Sequence, residues 1–180
     1  MKETELSIRI VGDPVLRKRV KPVKEVSLRH HELLSQMARL MYASKGIGLA
    51  ANQAGINESL IVVDIGEGLY KLINPRIVKR EGCVMMEEGC LSVPGVSIKV
   101  KRSKRVVVEA LDHQAKQVSI EACDLLACVF QHELDHLHGK LIIDYASFWE
   151  KLKNKKKLTS LEKKVENEKL SEQRKESRAL

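Results

Sequence analysis

Between Ser27 and Ser44 the apolar residues Leu33, Leu34, Met37, Leu40 and Met41 recur at intervals of three and four, which gathers them on one face of a helix. The pattern stops at Ser44-Lys45-Gly46, where the glycine is a helix-termination signal. Beyond it the period shortens. Residues 59–65, 70–73, 96–100 and 105–111 read as short strands, the last two rich in β-branched side chains, with Asn74-Pro75 and Asp112-His113 as punctuation. Polar residues interleaved in Val96-Ser97-Ile98-Lys99-Val100 fit antiparallel strands with one face in water. A second helix is predicted from Asp124, a good N-cap residue, through His138 to a stop at Gly139. It is apolar nearly all round and is therefore expected to be buried. From about Ser147 the chain becomes a polar, lysine-rich helix or tail.

Length and charge refine this picture. A chain of 180 residues fits one domain and can bury a core of its own. The net charge of +8 is concentrated at one end: residues 151–180 hold 11 Lys or Arg against 5 Glu, whereas residues 1–150 hold 21 against 19. That segment suits an anionic partner, with RNA favoured over membrane because large apolar residues are few, or it is simply a solvated charged helix. No stretch approaches the ~18 apolar residues of a membrane span, and Met1 to Ile8 carries no signal-peptide core. A cytoplasmic protein with its four cysteines (Cys83, Cys90, Cys123, Cys128) reduced is expected.

The second helix carries the chemistry. Gln131 to His136 reads Gln-His-Glu-Leu-Asp-His, a His-Glu-x-x-His pattern that sets His132 and His136 one turn apart on one face, within reach of a single metal ion. Glu133, next on the helix, can take a proton from water at such an ion. Three titratable groups amid apolar neighbours are costly to bury unpartnered, and a metal supplies the partner. Asp135 is either an acceptor for a ligand's ring N–H or a plain surface charge. A mononuclear catalytic site needs a third protein ligand, for which Cys90, Cys83, Cys123, Cys128, Glu150 and Glu162 are candidates. Cys90 lies in a glycine-flanked loop, Cys128 is one turn before His132 and is expected to line a pocket, and Glu162 lies in the basic tail. Leu125, Cys128 and Val129 share the face of His132 and either floor an apolar slot suited to an unbranched, polarisable side chain such as methionine or, Val129 above all, belong only to the core.

Three blocks then carry a resemblance. Gly46-Ile47-Gly48-Leu49-Ala50-Ala51-Asn52-Gln53, Glu88-Gly89-Cys90-Leu91-Ser92 and Gln131-His132-Glu133-Leu134-Asp135-His136-Leu137 are similar, in order and spacing, to the three motifs of bacterial-type peptide deformylases. The likeness runs over roughly residues 7–148. It implies a metallohydrolase that removes the formyl group from the N-terminal formyl-methionine of nascent polypeptides and releases formate. Cys90, His132 and His136 would bind one Fe(2+), replaceable by Zn, Ni or Co. Water activated there would attack the formyl carbon, with Glu133 as base and then acid, and with the Gln53 amide and the Leu91 N–H receiving the oxyanion. Ile47, Gly48, Gly89, Leu125 and Cys128 would contact the substrate. An α+β fold is implied: antiparallel strands packed around a central buried helix carrying His-Glu-x-x-His, with an N-terminal amphipathic helix and a basic C-terminal helix or tail. Residues 1–148 would be the catalytic domain of a bacterial cytoplasmic monomer, and residues 149–180 a lysine-rich extension suited to the ribosome and its RNA.

The chain departs from the family pattern in places. Asn52 and Ala54 stand where proline and valine are common, and neither is expected to touch the ligand set. Ser97 stands where some members carry an arginine near the substrate. Asp124 replaces a frequent glycine, and the turn His113-Gln114-Ala115-Lys116 lacks the usual one. Two rival readings are another His-Glu-x-x-His hydrolase with Glu150 or Glu162 as third ligand, and a non-enzymatic RNA-binding protein on an inactive hydrolase scaffold.

Overall fold

The structure, a computed structural model, describes residues 6–176, with side chains to Ser171. The expectation for the first few residues therefore lies partly outside the described residues, as do the last four residues of the basic tail.

Helix α1 spans Leu28–Ala43 and buries Leu34, Met37, Ala38 and Met41, the predicted face. Its start is closed by the backbone N–H of Ser27, which donates to His30 Nδ1 at 3.0 Å. Its end corrects the sequence reading, since Lys45, at φ 57, takes the left-handed position instead of Gly46. Gly46 serves another need: a Cβ there would lie 2.7 Å from Leu91 Cδ1.

Five antiparallel strands form the main sheet in the order β1-β2-β3-β6-β7, with β1 at Gly48–Ala50, β2 at Leu60–Val63, β3 at Tyr70–Glu81, β6 at Arg105–Leu111 and β7 at Gln117–Cys123. A separate hairpin pairs β4 (Val84–Glu88) with β5 (Ile98–Arg102). The unbroken apolar run of β2 reflects burial on both faces. Leu60 and Val62 pack with α1, while Ile61 and Val63 pack with helix α2 (Asp124–Leu137). Across that second layer Phe130, fully buried, meets Tyr70 edge-on at 5.5 Å, a contact that adds to the roughly 1.5–3 kcal/mol gained by burying such a ring.

Asn74-Pro75 does not end a strand, contrary to the sequence reading. β3 continues through it as an irregularity between Ile73 and Arg76. Asn74 adopts φ 53, its amide exchanges two 2.8 Å hydrogen bonds with the Val23 backbone, and a proline without an N–H is tolerated at such a bulge. The cap of α2 is also corrected: Cys123 is the N-cap, and Asp124, at φ 50, holds a left-handed conformation that explains the family's glycine there. Gly139, at φ 76, follows the helix as predicted.

The basic segment is a helix, α3, over Phe148–Glu176. Leu158 and Leu161 pack against a third apolar cluster that includes Val11, Leu16, Val96 and Ile98, and Val165 is buried. Among the described residues no helix is long and apolar enough to cross a membrane.

Candidate metal centre

Helix α2 delivers His132 and His136 side by side. Their Nε2 atoms lie 3.2 Å apart, and Cys90 Sγ lies 3.2 Å from His136 Nε2. Among the described residues this is the one cluster of three Cys, His, Asp or Glu side chains whose donor atoms converge, all within 4.8 Å of one another. Two imidazole nitrogens and a thiol facing one point repel unless a cation or proton stands between them. An ion held tetrahedrally at ~2.0–2.3 Å from such donors separates them by about 3.3–3.6 Å, so the cradle fits a metal closely.

The other candidate ligands are placed elsewhere. Glu150 accepts from the Ser147 N–H at 2.8 Å and the Lys99 N–H at 3.2 Å at the start of α3, and Glu162 lies against Gly12. Cys83 and Cys123 are exposed, while Cys128 is buried beside the cleft, where burial pushes its thiol up.

What holds His132 is not Asp135. Glu88 Oε2 lies 2.8 Å from His132 Nδ1, and Arg102 grips Glu88 with Nε at 2.7 Å and Nη2 at 3.0 Å while Nη1 reaches Asp135 at 2.5 Å. Asp135 thus supports the ring through Arg102 and also accepts from Tyr145 Oη at 2.8 Å. Burial raises the Glu88 carboxyl, but the hydrogen bonds from His132 and Arg102 prevail and leave it below its ordinary range. The sequence did carry a signal for Arg102. In β5 Ile98 and Val100 face inward, and the same alternation turns Arg102 inward, 6% exposed, where a cation requires an anion. Glu88 sits within a recognised motif, yet nothing in its spacing announces the bond to His132.

Glu133 is 3% exposed, and its Oε2 has no hydrogen-bond partner among the described residues. Burial is the main reason its pKa is pushed up to about 7, tempered by the charge on His132. Gly48 makes room for it, since a Cβ at that position would collide with Glu133 Oε1. Gln53 is fixed by Oε1, which accepts from the Ala50 N–H at 2.8 Å, and its Nε2 reaches Cys90 Sγ at 3.6 Å and Ser92 Oγ at 3.2 Å. Asn52 corrects an expectation: it is buried, and Nδ2 donates to the backbone oxygen of His136 at 2.5 Å, so it does touch a member of the candidate ligand set.

These groups open onto a cleft of about 540 Å³. Ile47 and Gly48 line one wall, Gly89, Cys90 and Leu91 another, and Leu125, Cys128 and Val129 the floor beside His132 and Glu133. Val129 faces the cleft and also belongs to the core.

Known proteins are similar to this chain in sequence and in fold. The family model for polypeptide deformylase matches residues 5–152. The chain belongs to the polypeptide deformylase family. Members of this family are metal-dependent hydrolases that remove the N-formyl group from nascent peptides. A peptide deformylase of Thermoanaerobacter pseudethanolicus is 52% identical over 139 residues, covering 77% of this chain and 87% of that one. The crystal structure of a peptide deformylase from Legionella pneumophila superposes with a TM-score of 0.83 at 38% identity, covering 90% of this chain and 97% of that one. The Thermotoga maritima enzyme gives 0.78 at 42% identity, over 81% and 99%.

Proposed function

We propose that this deformylase holds one Fe(2+), replaceable by Zn, Ni or Co, on Cys90, His132 and His136, and hydrolyses N-formyl-methionyl nascent peptides to formate and a free amine. The observation that carries the reading is the convergence of one thiol and two imidazole nitrogens beside a buried carboxylate. A thiolate with two imidazoles suits that group of metals. When bound, the ion supplies Lewis-acid polarisation and a water of lowered pKa.

The remaining steps belong to side chains. Glu133 takes the proton of the attacking water and returns it to the departing amine, and its burial raises its basicity for this task. The Gln53 amide and the Leu91 N–H receive the charge that develops on the formyl oxygen, where one such donor contributes ~10²–10³ in rate. Gly48 and Ile47 on one side and Gly89 on the other flank the peptide. Leu125 and Cys128 give the methionine side chain an apolar floor. Glu88, held by Arg102, fixes the ring of His132.

Anaerobic purification with elemental analysis, then a formate-release assay on formyl-Met peptides, tests the reading. One metal per chain is expected, with turnover abolished by Glu133→Ala and both metal and turnover lost in Cys90→Ala. Retention of metal and activity in Cys90→Ala contradicts the ligand set and favours a hydrolase of another kind.

The same reading puts the enzyme, as a monomer, in the bacterial cytoplasm, where formylated nascent chains are made. Residues 149–180 form a unit that meets the ribosome. Lys153, Lys156 and Lys163 are exposed on α3 and suit the phosphates of its RNA. Charge reversal of these three is expected to weaken cosedimentation with ribosomes, and to flatten its salt dependence, without altering hydrolysis of short peptides. Unchanged cosedimentation contradicts this role.

A further inference from the structure

Helix α3 is joined to the body by contacts of two kinds. Leu158, Leu161 and Val165 supply the apolar contact that keeps it docked. Three polar side chains then reach from it to fixed partners. Glu150 Oε1 accepts from the Lys99 N–H at 3.2 Å, Lys169 Nζ lies 3.2 Å from Asp13 Oδ1, and Lys157 Nζ donates to the backbone carbonyl of Gly95 at 2.8 Å. Of these three partners only Gly95 lines the cleft.

Gly95 stands at the far end of the segment that begins with Cys90. The inner part of that segment is fixed by its own backbone: the Val93 N–H donates to the Cys90 carbonyl at 3.0 Å, and the Val11 N–H to the Ser92 carbonyl at 2.8 Å. Pro94 and Gly95 are the exposed central pair of a turn that the Val96 N–H closes by donating to the Val93 carbonyl at 3.3 Å, with Gly95 at φ 68. From the outside the Lys157 ammonium holds the carbonyl of Gly95, so closely that a Cβ at position 95 would collide with it. The bond is exposed to solvent, which screens it, while the charge on the donor strengthens it over a neutral one.

We propose that Lys157 is a positioning residue for substrate binding: by gripping the Gly95 carbonyl it fixes the wall made by Pro94 and Gly95 against the bound peptide. The basic helix thereby sets substrate affinity without touching substrate. The inference rests on the deformylase reading of the cleft. Because Lys157 acts on the wall and not on the metal ligands or Glu133, its loss falls on KM and spares kcat.

The test compares the metal-loaded full chain with Lys157→Met, which keeps the apolar stem, and Lys157→Arg, which keeps a charged donor, on a formyl-Met tripeptide. Lys157→Met is expected to raise KM about three- to tenfold, with kcat and bound metal within twofold of the parent, and Lys157→Arg to recover most of the loss. An unchanged KM in Lys157→Met, a loss of kcat or metal in its place, or a Lys157→Arg variant as impaired as Lys157→Met would overturn the proposal. A parent enzyme that releases no formate would instead defeat the reading of the cleft, and the role of Lys157 with it.

Discussion

Gly48 and Glu133 illustrate how a buried carboxylate is accommodated beside the cleft. The carboxylate fills the space that a side chain at position 48 would need. Gly48→Ala is therefore expected to lower kcat/KM by about 100-fold or more through displacement of Glu133, with the metal still bound. Formate release and metal content, measured together, check this. A second prediction at this scale concerns stability. Ala115, in the turn between β6 and β7, is held at φ 62, where an L side chain is strained by roughly 1–2 kcal/mol. Ala115→Gly relieves the strain at some cost in unfolded-state entropy, so a net gain of about 0.5–1 kcal/mol is expected in urea denaturation. The sequence already showed that this turn lacks a glycine, but only the backbone shows which residue takes its place. Asn52 makes the same point in reverse. As a departure from the family pattern it looked remote from the ligands, because side-chain identity says nothing of the carbonyl of His136 that it binds.

At the level of elements, legibility followed the strength of the hydrophobic period. Helices α1 and α2 were legible almost to the residue, since each buries an apolar face longer than two turns. The fully apolar β2 and the β-branched β6 were legible for the same reason. The short β1, which opens with a glycine, and β4, with its Met-Met-Glu-Glu, carry little period of their own and are defined by their partners. β7 alternates, but its outward polar residues dilute the apolar signal. The hairpin of β4 and β5 matters most for chemistry, because it brings Glu88 and Arg102 behind His132. Glu88→Gln removes the charge that holds both partners. It is expected to weaken metal affinity about 10- to 100-fold while the fold persists, as measured by competition with a chelator. Affinity equal to the parent's would show that His132 needs no such support.

At the scale of the whole molecule, the sheet with α1 and α2 forms a packed frame, and three distant stretches of chain meet on it: the glycine-containing segment at 46–53, the loop at 88–92 and the helix at 131–137. Their convergence is tertiary, so spacing along the chain leaves the third ligand open, and only the family resemblance points to Cys90. The basic end of the chain was evident from charge alone, whereas its docking through Leu158, Leu161 and Val165 was not. The central claim is that this frame brings one sulfur and two imidazole nitrogens to a single ion. X-ray absorption at the metal edge of the zinc-loaded protein tests it most directly. One sulfur scatterer at ~2.3 Å and two nitrogen scatterers at ~2.0–2.1 Å are predicted. A coordination shell without sulfur would contradict the account.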